Sequence, residues 1–291
     1  MITAQYRNEV RNALLDRRPN FGGTNAQFAK IYGLSGAIYS RLQNGETERI
    51  ISDNQWIQLG RELEINTRKS NWKLVRTKVY TEIEDSIKFC QMHSNSMVLV
   101  DDCGIGKTFS AKNIVKTLPN AFYIDCSQAK SKQQFVKLLA KTIGLDNKGK
   151  YIDVKSNLKY YLNQLERPVI ILDEAGDLEY TAFLELKEFW NATDGFCGWF
   201  MMGADGLKAK IEKGINSKKV GFAEIFSRFS DEYIKLTPIS IDKKKAFRQE
   251  LLHQVAKANH TGTIPVENLV KQCLDKNTTL RHLDTLLKIS A

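Results

Sequence analysis

The sequence predicts an α/β protein: a parallel sheet with helices on both faces, preceded by a small helical module and followed by a helical cap. Three observations carry this. Four short, continuously apolar runs, Met97–Val100, Ala121–Ile124, Val169–Leu172 and Trp199–Met202, punctuate the middle of the chain, with Glu232–Leu236 as a weaker fifth. Between them lie stretches of helical period, such as Phe135, Leu138, Leu139, Ile143 and Leu158, Tyr161, Leu162, Leu165. After Pro238 only helical periodicity remains. Strands that are apolar throughout, rather than alternating, are those buried on both faces, as in parallel sheets.

Taken in order, the first element is a helical module over 1–65. Within it, Thr24 to Leu42 has the pattern of a helix-turn-helix: Ala29 permits close helix packing, Gly33 permits the turn, and Ile38 with Leu42 anchors the second helix inward. The turn is one residue shorter than the common spacing. That register leaves Ser35, Gly36, Ala37, Tyr39, Ser40, Arg41 and Gln43 on the outer, groove-facing side. Arg41 and Gln43 suit phosphates as well as base edges. A basic connector over 66–79 follows, holding Arg68, Lys69, Lys73, Arg76 and Lys78 without one acid. The α/β core is expected over 80–237 and the helical cap over 238–291.

Composition narrows the class. The 291 residues are 42% hydrophobic and 26% charged, which excludes wholesale disorder. Five scattered cysteines form no C-x-x-C pair, so neither a disulfide framework nor a zinc site is indicated. No apolar run approaches a bilayer span and the first residues do not read as a signal peptide, so a cytoplasmic protein without a membrane partner is expected. The net charge is +10, and the segment through residue 80, with thirteen Lys/Arg against seven Asp/Glu, carries more than half of it. Such an excess favours a polyanion partner.

The strongest chemical signal is Met97-Val-Leu-Val-Asp-Asp-Cys-Gly-Ile-Gly-Lys-Thr108, a strand, a tight turn and a helix expected over Phe109–Thr117. The backbone N–H groups of Gly104, Ile105, Gly106, Lys107, Thr108 and Phe109 would converge on phosphates, aided by the helix dipole. Lys107 would reach the β- and γ-phosphates of ATP, and the Thr108 hydroxyl would ligate Mg²⁺. The pattern is imperfect. Asp101 stands where the full phosphate-loop motif has glycine, and Asp102 follows, so both carboxylates must point away or bind a cation. Arg167-Pro-Val-Ile-Ile-Leu-Asp173-Glu174 supplies the partner motif at a strand's carboxyl end. Asp173 would hold Mg²⁺, and Glu174 would orient or deprotonate the attacking water.

These two motifs, with the flanking segments, resemble an AAA+ P-loop ATPase, and specifically the target-DNA-binding transposition regulators of the phage Mu B, TnsC and IstB class, closest to the Mu B type. The resemblance covers nearly the whole chain, from the N-terminal helix-turn-helix through the ATPase core to a C-terminal helical lid. Asp173-Glu-Ala-Gly-Asp-Leu178 is similar to the family's D-E-A-D-x-L, with a shifted acid. Gly203-Ala-Asp205 sits at the family's sensor 1 position, where the usual Asn is missing and Asp205 is the candidate substitute. Ala223-Glu-Ile-Phe-Ser-Arg228 is similar to L-F-S-R, which implies that Arg228 is a finger given to a neighbour's γ-phosphate. The local alternative is a surface arginine paired with Asp231 or Glu232. Thr279-Leu280-Arg281 resembles the sensor 2 helix, with Arg281 either reaching the phosphates or solvated.

The resemblance implies ATP and Mg²⁺ as cofactors, an ATP-dependent homo-oligomer or helical filament, double-stranded DNA bound largely without regard to sequence, and a DDE-type transposase as partner. Lys130 and Lys132 follow the second strand, where rings of this class carry a pore-facing loop, and Lys208 and Lys210 belong to a cluster after the fourth. Stacked copies would string these lysines along a duplex, although a lysine run is also an ordinary solvated face. Two other readings share these residues: a replicative helicase loader, and a DNA-binding regulator that senses nucleotide with little hydrolysis.

Overall fold

The computed structural model describes residues 2–21, 24–63, 65 and 72–290. Four helices open the chain: α1 (Ala4–Arg17), α2 (Asn25–Ile31), α3 (Gly36–Gln43) and α4 (Asp53–Glu62). Their capping is explicit in the sequence. Thr24 and Ser52 each accept an N–H from a glutamine three residues on, whose side chain returns the bond. Val10, Leu14, Phe28, Tyr39, Leu42, Trp56 and Leu59 give these helices an apolar core of their own.

The structure corrects one residue here. Tyr39, expected on the groove-facing side of α3, is 1% exposed and packs edge-on against Phe28, with ring centroids 5.4 Å apart. The helix starts at Gly36 after the Ser35 cap, and its inward stripe runs through Tyr39 and Leu42, with Ile38 only partly buried. Register within two helical turns is poorly fixed by one aliphatic pair, because positions three and four apart both fall on one face.

Of the basic connector, Arg68 and Lys69 lie outside the described residues. From Trp72 the chain is extended: Trp72 and Val75 pack against the C-terminal helices, and Lys73 exchanges hydrogen bonds with the Asn259 side chain. Thr77 then caps α5 (Lys78–His93).

The core follows as β1 (Ser96–Val100), α6 (Lys107–Ile114), β2 (Ala121–Asp125), α7 (Lys132–Ile143), α8 (Tyr151–Leu162), β3 (Val169–Asp173), α9 (Tyr180–Ala192), β4 (Gly198–Gly203), α10 (Asp205–Asn216), α11 (Phe222–Arg228) and β5 (Tyr233–Ile234). All strands pair in parallel in the order β2-β3-β4-β1-β5. Val98, Val100, Ile170, Leu172, Trp199 and Met201 face α7 to α11, while Leu99, Ile171, Phe200 and Met202 face α5 and α6. Both faces are covered, which is why the strands read as unbroken apolar runs. From β1 the chain crosses to one edge of the sheet and from β4 to the other, so the direction of winding reverses at β1. In open α/β sheets ligands collect outside the strands' carboxyl ends at such a point.

Two expected bounds shift. The helix expected over Phe109–Thr117 begins at Lys107 and ends at Ile114, and the fifth strand shortens to Tyr233–Ile234. The chain closes with α12 (Ile241–Asn259), α13 (Val266–Asp275) and α14 (Leu280–Ser290). Phe247 and Leu251 of α12 join the core on the α5 and α6 face, whereas Leu252 and Val255 join α13 and α14. One helix thus belongs to both packing units.

Candidate functional site

The turn after β1 is shaped by two glycines in left-handed backbone, Gly104 at φ 73° and Gly106 at φ 105°. Gly104 is required twice over, since a Cβ there would lie 2.6 Å from the Thr279 side chain. Gly106 caps α6, whose N-terminal N–H groups and dipole are the features that favour an anion. Lys107, 8% exposed, donates through Nζ to the backbone oxygens of Asp101 at 2.7 Å and Asp102 at 2.8 Å. Burial lowers its pKa, against an opposing pull from Asp101 and the other acids around the loop.

Asp101 does not need the conformational freedom of the glycine it replaces, for its φ is not left-handed. Its carboxylate is fully buried: Oδ2 accepts the N–H groups of Leu236 at 2.6 Å and Thr237 at 2.8 Å, and Oδ1 accepts that of Asp102 at 2.7 Å. The Asp102 carboxylate pairs with Lys244 of α12 at 2.6 Å. Both acids therefore point away, the arrangement an anion site beside them requires.

A cavity of about 520 Å³ opens over this loop. Its polar floor runs from Cys103 to Ser110 and includes Gly104, Ile105, Gly106, Lys107, Thr108 and Phe109. Trp72, Val75, Val255 and Leu280 supply apolar wall, Arg281 of α14 adds a cation, and Lys288 of the same helix is paired with Asp284, which also lines the cavity. The C-terminal helices are seated on the loop directly, because Leu280 N–H donates to the Gly104 carbonyl at 3.2 Å. An apolar wall against a cationic, N–H-rich floor suits a base at one end and phosphates at the other.

Asp173 ends β3 with its carboxylate 2% exposed. The Tyr123 hydroxyl of β2 donates to Oδ2 at 2.7 Å, and Glu174 N–H donates to Oδ1 at 2.9 Å. Glu174 lines the cavity from a left-handed backbone at φ 49°, a costly conformation for a side chain of its size and one that gathers at functional sites. Burial first, and the Asp173 charge second, raise the Glu174 pKa, while Lys107 lowers it; the net direction is upward. Among the described residues no three His, Cys, Asp or Glu are grouped to hold a metal. Mg²⁺ does not require such a group, since a hydroxyl, a carboxylate and phosphate oxygens suffice; Thr108 lines the cavity, whereas Asp173 lies buried next to Glu174 and is not itself among the lining residues.

Other expected residues are placed differently. Asp205 starts α10 exposed to solvent and does not line the cavity; Ala204, which does, has no polar side chain, so Asp205 does not stand in for the missing Asn. Arg228 lies away from this cavity. Its guanidinium donates to Asn191 Oδ1 at 2.9 Å and to the Glu224 carbonyl at 2.8 Å, over the Trp190 ring, and neither Asp231 nor Glu232 pairs it. Arg281 is exposed at the cavity rim. Of the remaining basic candidates, Lys130 and Lys132 are exposed, as are Ser35, Ser40, Arg41 and Gln43; Arg41 is tied to Glu46 at 2.8 Å. Lys208 is exposed beside Glu212. Lys210 is not available to a duplex as expected: its ammonium turns inward and donates to the Gly176 carbonyl at 2.8 Å and to that of Leu178.

Residues 90–211 match the family model described as an AAA domain, a span that takes in the loop after β1, β3 with Asp173 and Glu174, and the start of α10. No curated protein matches the chain. The parallel five-stranded sheet with helices on both faces is consistent with the AAA+ P-loop α/β fold, and the match supports an AAA+ ATPase core. Among the described residues no helix is long and apolar enough to cross a membrane.

Proposed function

We propose that the chain is an ATP-dependent, DNA-binding AAA+ ATPase that assembles on target DNA and delivers it to a transposase, stimulating that enzyme. The single observation that carries the nucleotide half is the loop from Gly104 to Thr108, with its left-handed glycines, its buried Lys107 and a cavity of nucleotide size above it. The DNA and transposase half rests on the likeness of the sequence motifs to transposition regulators and on the excess of positive charge.

Mg²⁺, where bound with ATP, would supply charge neutralisation at the transferring phosphoryl group. The chain's own residues do the rest. Loop N–H groups hold the phosphates, and Lys107, with two of its three donors fixed by backbone carbonyls, turns the third toward them. Thr108 and Asp173 would hold the cation. Glu174, which lines the cavity from the end of β3, takes the proton of the attacking water. Arg228, which cannot serve its own cavity from where α11 puts it, serves a neighbour's.

Lys107→Ala is expected to abolish ATP-stimulated assembly on duplex DNA, read by electron microscopy with ATP, a non-hydrolysable analogue and no nucleotide. Assembly that ignores both the nucleotide and the substitution would remove the reading. A second reading, a nucleotide sensor with slow turnover, draws on Ala204, which leaves the end of β4 without a polar side chain in the cavity. Turnover without a measurable nucleotide response in assembly would go against it.

A further inference from the structure

Asp101 and Asp102 offer their backbone carbonyls to Lys107 and their carboxylates to the polypeptide leading into α12. Leu236 and Thr237, held by Asp101, are the passage from β5 to α12, and Lys244, held by Asp102, lies one turn into that helix. The aim of Lys107 is therefore set by two residues that are themselves held by the C-terminal part of the chain. Neither Asp102 nor Lys244 lines the cavity.

From this geometry we infer that Lys244 is a positioning residue of the nucleotide site, although it touches no ligand itself. It acts through Asp102 in two ways. Its ammonium cancels a carboxylate that would otherwise repel phosphates arriving at the next residues of the loop. It also fixes the Asp102 backbone, one of the two carbonyls that orient Lys107. The contact is separate from the seating of Thr279 and Leu280 on Gly104, so α12 and the start of α14 hold one short loop at two different points. The inference deepens the nucleotide-binding reading and rests on it.

The pair is about one-third exposed, at 36% for the Lys244 side chain and 30% for Asp102, so single variants are expected to fold. The experiment titrates a fluorescent ATP analogue into the full-length chain and its variants, with thermal melts in the absence of nucleotide as the folding control. Lys244→Ala leaves Asp102 unpaired and is expected to weaken binding about three- to tenfold, a range limited by solvent screening. Lys244→Arg keeps the charge and is expected to bind within about twofold of the parent. Asp102→Asn added to Lys244→Ala removes the stray carboxylate and is expected to recover at least half of the loss on a logarithmic scale, a non-additivity that a merely structural contact would not show. Lys243→Ala controls for a diffuse loss of positive charge and is expected to bind like the parent. Equal affinity across all variants, or an equal loss in Lys243→Ala, would overturn the role of Lys244 while leaving the phosphate loop intact. Failure of the parent chain to bind the analogue would overturn the phosphate-loop reading and this inference with it.

Discussion

Tyr123 governs how Asp173 can meet a cation. Its hydroxyl occupies one side of Oδ2 and the Glu174 N–H one side of Oδ1, so each carboxylate oxygen keeps a lone pair and a fixed direction. Burial, and then the adjacent Asp173 charge, push the phenol pKa upward, so Tyr123 remains a donor throughout the working pH range. Partners of this kind, one step removed from a metal, typically matter tenfold or more to its affinity. Tyr123→Phe is accordingly expected to raise the Mg²⁺ concentration for half-maximal ATP turnover by about tenfold, equivalent to about 1.4 kcal/mol, with a much smaller change at saturating Mg²⁺. An unchanged Mg²⁺ titration would reduce Tyr123 to packing. The residue could not be singled out from sequence, because Ala121-Phe-Tyr-Ile is legible only as an apolar strand. Its role arises from pairing β2 beside β3, which brings together positions far apart in the chain. Lys244 and Thr279 escaped for the same reason. Gly104 to Thr108 and Asp173-Glu174 were legible because each motif is contiguous, its geometry set by neighbours in sequence.

At the scale of elements, β1 to β4 were legible from apolar runs, while β5 was trimmed because only Tyr233 and Ile234 find partners on β1. Short helices are less legible: α3 has a buried stripe of two main positions, Tyr39 and Leu42, and the pair Ile38 and Leu42 fits one helical face equally well. Helix α11 has the clearest functional consequence. It ends at Arg228, whose guanidinium lies over Trp190 and away from the cavity of its own chain. If the finger acts, it acts across a head-to-tail contact, in which one chain presents Glu174 and the next presents Arg228. Arg228→Ala and Glu174→Gln are each expected to lower turnover about a thousandfold or more when pure. Mixed in equal amounts, they are expected to regain turnover at roughly a quarter of the contacts, those pairing an intact glutamate with an intact arginine. A mixture as inactive as either component would place Arg228 outside the reaction.

For the whole molecule, the question is which of its positive charges can meet a duplex. The net charge of +10 overstates them, since Lys244 and Lys210 are engaged within the chain and Arg41 is paired. Lys130, Lys132 and Lys208 remain exposed, Lys130 in a long pair with Asp177 at 3.8 Å and Lys208 with Glu212 at 3.7 Å, and all three follow the carboxyl ends of strands, on the same edge of the sheet as the phosphate loop. Copies stacked through that edge would present a repeating row of ammonium groups, and each phosphate they neutralise releases condensed counterions. Plotted as log affinity against log salt, binding of the ATP-bound chain to duplex DNA is expected to fall linearly, by about 0.9 per phosphate contacted. Replacing Lys130 and Lys132 together by alanine is expected to flatten that slope by about one to two, with little dependence on DNA sequence. Lys210→Ala is expected to leave the slope unchanged. It instead lowers the melting temperature, because the Gly176 and Leu178 carbonyls lose their donor at a cost of about 1–3 kcal/mol. A salt response that is flat in the parent chain would mean that its positive charge serves some partner other than a nucleic acid. A slope that moves with Lys210 but not with Lys130 and Lys132 would shift the contact surface to α10.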